Sequence, residues 1–411
     1  MFYLTNILLF LGPALTLVMR SGYIVLGLSF LLLTLFLLKD QSNRQWLLSP
    51  SAKLMCIGLW SYAVIAIVMN IYHGQISTQI ETFLPMLLYP LLFLVVPKLP
   101  LRANYLWTGA AVGAIGAGLI AIYQTKILGV TRANGFYYNP IPFGDLSLVL
   151  SAASFIGLLR FPLPHRTWLI KPWLAVGGCF GLTASLLSGT KGGWLTLVTV
   201  VLVSAWILSS AWQWWRRMAT LAISIALIAG AVHLAPRAAV MGRIESGLAG
   251  GITWFQTGQV VDGSVSIRLA LFAEGLSMFQ EHPLLGWDWK LVSDEQERRN
   301  QAKGVPQAYS RVYGAFENEY IDKMVAFGIV GLISDFLIFA FPLLAFWRHR
   351  QDKDAQISSF AFLGMMLPIM FMEFGLSVSV LSLNAMRHVY VAWCVMLMCL
   401  ILHRQRELEA T

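Results

Sequence analysis

AFENEYIDKMVAFGIVGLISDFLIFAFPLLAFW, residues 315–347, decides the class of this chain. From Tyr320 to Ala345 the run is mostly apolar, and its charged residues are Asp322, Lys323 and Asp335. A helix needs about 20 such residues to cross the hydrocarbon core of a bilayer, and this stretch supplies them. The stretch that leads into it, Arg268–Gly331, holds the longest segment that does not read as bilayer-buried and a concentration of Arg, Lys, Asp and Glu. The chain therefore reads as a scaffold of membrane helices with this polar stretch as a lid over a site on one membrane face.

Composition agrees with that class. Hydrophobic residues are 57% of the 411 and charged ones 12%, about half the charged fraction of a soluble chain; mean hydropathy is +0.68. An all-α polytopic membrane protein follows, because a lipid-exposed open strand leaves backbone groups unpaired. The length template predicts about twelve spans. They fall near 2–19, 22–39, 54–72, 84–97, 105–123, 143–159, 173–189, 193–210, 218–234, 320–345, 357–377 and 387–403, the fourth short and proline-bounded.

Lys and Arg concentrate in alternate loops, at Lys39, Arg44 and Lys53, Lys98 and Arg102, Arg160, Arg166 and Lys171, Arg216 and Arg217, Arg348, Arg350 and Lys353, and Arg404 and Arg406. This bias orients those loops and both termini to the cytoplasm; the other short loops carry far fewer charges, chiefly Lys126, Arg132 and Lys191, and Arg20 sits on the wrong side by this count. The chain then divides into residues 1–234 with spans one to nine, a periplasmic loop at 235–318, and 319–411 with spans ten to twelve and a short cytoplasmic tail. The loop is expected to open with weakly structured, glycine-rich sequence, SGLAGGITWFQTGQVVDGS (246–264). An interfacial helical pattern follows near 265–280, with Ser264 or Ser266 as its cap and His282–Pro283 at its end. On this helix Arg268 shares a face with Leu271, Phe272, Gly275 and Phe279.

Several classes are excluded. The net charge of +9 resides mostly in loops beside apolar spans and implies no nucleic-acid partner. There is no phosphate-binding G-x-x-x-x-G-K-[ST], no dinucleotide G-x-G-x-x-G, no H-E-x-x-H and no G-x-S-x-G. Cys56, Cys179, Cys394 and Cys399 lie in apolar runs with neither metal-ligand nor disulfide spacing, so they pack as small hydrophobes. The N-terminal apolar run reads as a retained first helix rather than a removed signal.

The candidate site residues are polar groups that this topology places at one face, each with a structural alternative. Arg132 in TRANGFYYNPIPFGD (131–145) is either an interfacial turn residue or the mouth of a phosphate clamp, with Asn139 and Pro140 turning into the next helix. Lys191 in SGTKGG (188–193) either snorkels to the interface or, at a helix N-terminus beside Gly192 and Gly193, binds an anion. Arg268 either pairs a nearby carboxylate or offers its planar fork to pyrophosphate. Glu317 and Asn318 either cap the tenth span or supply a general base, Glu317, whose pKa partial burial raises. His282 is a second candidate base or a capping cation.

Taken in order, R-x-x-G and N-P-x-x-x-G (Arg132, Gly135, Asn139–Pro140, Gly144), S-G-T-K-G (Ser188–Gly192), S-x-R with P-L-L-G (Ser266, Arg268, Pro283–Gly286), and N-x-Y with G-x-x-G (Asn318, Tyr320, Gly328, Gly331) resemble the O-antigen ligase and polymerase superfamily over roughly residues 130–335. The resemblance implies a glycosyltransferase that takes a glycan from undecaprenyl diphosphate at the outer face of the bacterial inner membrane. The acceptor it implies is a hydroxyl of lipid A–core oligosaccharide, or a second lipid-linked glycan in a polymerase. It assigns Arg268, Lys191 and Arg132 to the diphosphate, Glu317 to the base, and Asn318, Asn139, Tyr320 and His282 to substrate binding. Many relatives have Arg where this chain has Lys191, and His where it has Glu317, so Glu317 takes the base role or that role lies elsewhere. The single dominant periplasmic loop favours the ligase. No cofactor and no metal are expected, and the partners are the lipid-linked donor, the lipid A–core acceptor and membrane lipids, with a monomeric protein. A transporter is the reading of a different class; it predicts internal repeats and mid-membrane ionisable groups, for which Glu373 is the strong candidate.

Overall fold

The computed structural model of the chain describes residues 1–39, 49–74, 76–137, 139–162, 170–208, 213–216, 218, 222, 241–260, 264–302 and 316–410. Among these there is helix and turn but no strand, and the chain is an all-α polytopic membrane protein. In chain order the α-helices are α1 Phe2–Leu15, α2 Val25–Leu37, α3 Pro50–Tyr72, α4 Ile76–Leu88, α5 Ala103–Ile122, α6 Pro140–Arg160, α7 Ile170–Ser188, α8 Lys191–Leu208, α9 Met241–Thr257, α10 Ser264–Glu281, α11 Trp289–Ala302, α12 Glu319–Trp347, α13 Ala355–Phe374 and α14 Asn384–Ala410.

Eight helical stretches among the described residues are long and apolar enough to cross a membrane: 50–72, 81–98, 103–127, 140–160, 170–188, 319–347, 355–374 and 384–410. They correspond to the expected third to seventh and tenth to twelfth spans. The fourth bends as its prolines require: α4 gives way to 3-10 turns at Tyr89–Leu94 and Val96–Lys98, each with proline at its start. The expected first and second spans are shorter apolar helices, the eighth is α8, and 218–234 lies outside the described residues but for Met218 and Ala222. Among the described residues, eight long helices, two shorter ones and α8 thus stand where eleven of the twelve spans are expected.

The chain forms two compact units. The first comprises residues 1–194, 334–374 and 380–411. Small residues let its helices approach closely, the mode of packing that operates in lipid. A Cβ on Gly109 meets the Phe10 carbonyl oxygen at 2.3 Å, and one on Gly177 meets Ala111 at 2.7 Å. The α14 helix is buried along almost its whole apolar length. Near its start Arg387, 1% exposed, donates to the carbonyls of Leu381 (2.7 Å), Ser382 (3.2 Å) and Glu81 (3.1 Å) and to the Asn384 side chain.

The second unit comprises residues 195–333 and 375–379. Its opening segment corrects an expectation: most of the glycine-rich stretch at 246–264 is helix α9. The glycines that read as breakers lie on the face that meets α10, where a Cβ on Gly251 comes 3.6 Å from Val265 and one on Gly250 comes 3.8 Å from Ser266. The charged run that follows is also helical, as α11. Arg299 of α11 bonds Glu281 (2.7 Å) and Glu295 (2.5 Å), lies 3.5 Å from the buried Glu274 of α10, and stands over the Trp287 ring. This network holds the Glu295 carboxyl at about 2, mainly through its bonds from Arg298 and Arg299.

Below α11 the two remaining glycine motifs lock together. The α12 helix breaks at Gly328 (φ 61°, ψ −150°), and the Pro283–Gly286 turn docks into the break. The Ile329 amide donates to the Pro283 carbonyl (2.8 Å) and the Trp287 amide to the Val325 carbonyl (2.8 Å). A Cβ on Gly286 lies 2.5 Å from the backbone of Ala326, and one on Gly328 lies 2.4 Å from that of Leu284. Both glycines also have positive φ, 72° and 61°. Gly286→Ala and Gly328→Ala are each expected to cost on the order of 2 kcal/mol or more, from left-handed backbone plus clash. A thermal melt in detergent checks this; unchanged melting of both variants removes the lock.

Candidate active site

Arg268 sits one turn into α10, whose inner face carries Leu271, Gly275 and Met278. That face packs into a core with Phe316, Ile321 and Val325 at the start of α12 and Val292 of α11. Gly275 permits the approach, since a Cβ there meets Ile321 at 2.3 Å. This packed apolar face thus delivers the guanidinium to the residues that enter α12. Arg268 Nη2 lies 3.4 Å from Glu317 Oε2 and donates to the Ser377 carbonyl at 3.2 Å.

Glu317 holds an unusual backbone, φ 55°, one of two left-handed non-glycine residues among those described. Its side chain is 15% exposed. Burial pushes its carboxyl above the usual range, opposed by Arg268. Asn318 caps α12: its Oδ1 accepts from the amides of Tyr320 (3.0 Å) and Ile321 (3.2 Å), and its Nδ2 donates to the Leu376 carbonyl (3.3 Å). The capping alternative for Asn318 is thus what the geometry shows, and Glu317 precedes the cap. The Glu319 amide donates to the Gly375 carbonyl at 2.8 Å, and Lys323 Nζ lies 3.8 Å from Glu319. Tyr320 occupies the first turn of α12. His282 is exposed, with its ring edge-on to Trp287 at 4.5 Å and its carbonyl accepting from the Gly286 amide, which ends α10.

The first unit holds the other candidates. Arg132 donates from Nε to the Ser188 carbonyl (2.8 Å) and from Nη2 to the Gly189 carbonyl (3.5 Å), fastening the turn that precedes Lys191. Gly189 has φ 64°, and the Ser188 and Thr190 hydroxyls are 2.7 Å apart where Gly144 of α6 leaves room for them. Asn139 caps α6, accepting from the Ile141 amide at 2.9 Å. Lys191 opens α8; its side chain lies outside the described positions. Arg132 is therefore brought to the Ser188–Lys191 motif, and Arg268 to Glu317 and Asn318.

Against known families, the model described as O-antigen ligase matches residues 172–334. Residues 172–334 thus resemble an O-antigen ligase domain. The domain includes Lys191, Arg268, His282, Glu317, Asn318 and Tyr320; Arg132 and Asn139 precede it. An uncharacterised protein of Haemophilus influenzae is 21% identical over 309 residues, covering 73% of this chain and 74% of its own. The matched stretch ends before one group of residues that the sequence did not reveal. Gly375–Ser379 follows α13, which stops at Phe374 rather than continuing to 377. Three of its carbonyls receive the Arg268, Asn318 and Glu319 bonds. No motif marks it, because these three bonds are made by its backbone.

Proposed function

We propose that this membrane protein is a glycosyltransferase that moves a glycan from undecaprenyl diphosphate to a hydroxyl of lipid A–core oligosaccharide, the O-antigen ligase reaction. The observation that carries the reading is the Arg268–Glu317 pair, a half-buried cation and carboxylate 3.4 Å apart within the matched domain. The two groups suit the two demands of the chemistry. As the bond between the sugar anomeric carbon and the diphosphate oxygen breaks, negative charge grows on the leaving diphosphate, and a guanidinium stabilises it. As the acceptor oxygen bonds the same carbon, its proton passes to Glu317, whose raised pKa suits it to accept one. In the resting protein each group holds the other in place.

Arg132 and Lys191 are proposed as further cations for donor phosphate. Arg132→Ala is expected to raise the donor KM several-fold, with less effect on kcat; an unchanged KM restricts Arg132 to holding its turn. Side-chain cations supply the charge in this scheme, so transfer is expected to persist in EDTA. A divalent-cation requirement that returns on adding metal back overturns that part.

The reading places the site on the periplasmic face of the inner membrane, with both termini cytoplasmic. The deciding experiment gives the purified protein both undecaprenyl-diphosphate glycan and lipid A–core. Glycan on lipid A–core supports ligation. Lengthened lipid-linked glycan alone replaces ligation with polymerisation, and absence of both products overturns the glycosyltransferase.

A further inference from the structure

The backbone around Glu317 is held from both sides. On the C-terminal side, the Glu319 amide and Asn318 Nδ2 are bound by the carbonyls of Gly375 (2.8 Å) and Leu376 (3.3 Å). On the N-terminal side, Asp322 Oδ1 accepts from the Phe316 amide at 2.7 Å. Asp322 Oδ2 in turn accepts from the Ser379 hydroxyl. Asp322 is 5% exposed and Phe316 is fully buried, so water does not compete for these bonds. Between the anchors stands the left-handed φ of 55° at Glu317, a conformation that residues with a Cβ adopt rarely and keep only where their surroundings impose it.

The anchors share one origin. Ser377 and Ser379 belong to the same five-residue segment as Gly375 and Leu376, and the Ser377 carbonyl receives Arg268 at 3.2 Å. One strap between α13 and α14 therefore fixes the cation through its backbone and the carboxylate-bearing residue through Asp322. A carboxylate fits the position because it presents two acceptors in different directions, one to an amide and one to a hydroxyl.

We propose that Asp322, held by Ser379, is a positioning residue for glycan transfer: it fixes the left-handed backbone at Glu317 and thereby the seat of the Glu317 carboxylate beside Arg268. This deepens the glycosyltransferase reading above and rests on it. Asp322 itself touches no substrate; it acts through the Phe316 amide.

The full-length protein with undecaprenyl-diphosphate glycan and lipid A–core tests it. Asp322→Ala is expected to lower kcat about 100-fold, the scale set by a misplacement near 1 Å, with the donor KM within about twofold of wild type. Asp322→Asn keeps an oxygen for the Phe316 amide and turns its NH2 toward a hydroxyl that accepts, so it recovers kcat to within about fivefold. Ser379→Ala leaves the Phe316 bond and loses about three- to tenfold. The acid limb of the pH–rate profile moves in Asp322→Ala and stays in Asp322→Asn, which a merely structural role does not produce.

Wild-type kcat in Asp322→Ala overturns the positioning role, as does an equal loss in Asp322→Ala and Asp322→Asn. If Asp322→Ala does not fold, Ser379→Ala decides, and a wild-type rate and acid limb in it overturn the role. Glu317→Gln separates the two levels. At full activity it overturns the base assignment; inactive beside a fully active Asp322→Ala, it overturns the positioning role alone.

Discussion

Glu317→Gln is expected to lower transfer by about 10³-fold, within the range a positioned general base contributes. Glutamine keeps the length of the side chain and an oxygen that accepts from Arg268, so the pair's geometry persists while the proton acceptor is lost. The variant folds. Burial raises the folded pKa of Glu317 above its unfolded value, so any stabilisation linked to this group is present below the unfolded pKa and is lost as pH rises through the folded one. At neutral pH the ionised carboxylate is thus the less favourable form to bury, and a neutral amide melts no lower than wild type. The same shift sets the acid limb of activity. Wild-type kcat/KM falls as pH drops through a value above the ordinary glutamate range, about 4.3, because the protonated group no longer accepts from the acceptor hydroxyl. The residual activity of Glu317→Gln lacks that limb. A variant with wild-type kcat/KM, or one whose residual activity keeps the limb, assigns the base elsewhere; His282, exposed at the end of α10, is then the first residue to replace.

What the sequence showed and what it hid divide by physical range. The spans were legible because 20 apolar residues have one use in a chain like this, and because the prolines that fray α4 are visible where they stand. The helix carrying Arg268 was legible from period and from His282–Pro283 at its end. The α9 helix was not, because glycine costs helix stability locally while its packing advantage lies on α10. Nor was α11: its run of charges reads as solvated loop until Arg299 is seen bonded to Glu281 and Glu295. The pairing of Arg268 with Glu317 spans 49 residues, and the motifs named both members without their contact. Asp322 and the 375–379 segment were the least visible. Asp322 reads as one acid at the edge of an apolar span, and the segment reads as the end of one. Their meaning appears only when the chain returns, 57 residues later, to place Ser379 against Asp322.

Arg268→Ala should be the second large loss, about 10²- to 10³-fold in kcat/KM, and it has two separable parts. The first is the charge opposite the leaving diphosphate, lost at every pH. The second acts through Glu317. Arg268 is the cation that opposes the upward push of burial on this carboxyl; without it the pKa of Glu317 rises further. At neutral pH a smaller fraction of Glu317 is then ionised, and the acid limb moves to higher pH. Raising the pH recovers the second part and not the first. Arg268→Lys separates them from the other direction. Both Arg268 bonds leave from Nη2, to Glu317 and to the Ser377 carbonyl, and an ammonium on a shorter stem keeps the charge without the planar fork. The lysine variant is therefore expected to keep an acid limb near wild type while losing about tenfold or more in rate. Measuring kcat/KM from pH 5 to pH 9 in the three proteins settles the division. An alanine variant with wild-type kcat/KM removes Arg268 from the site. One with a lowered rate but an unmoved acid limb leaves Arg268 to the diphosphate and uncouples it from Glu317.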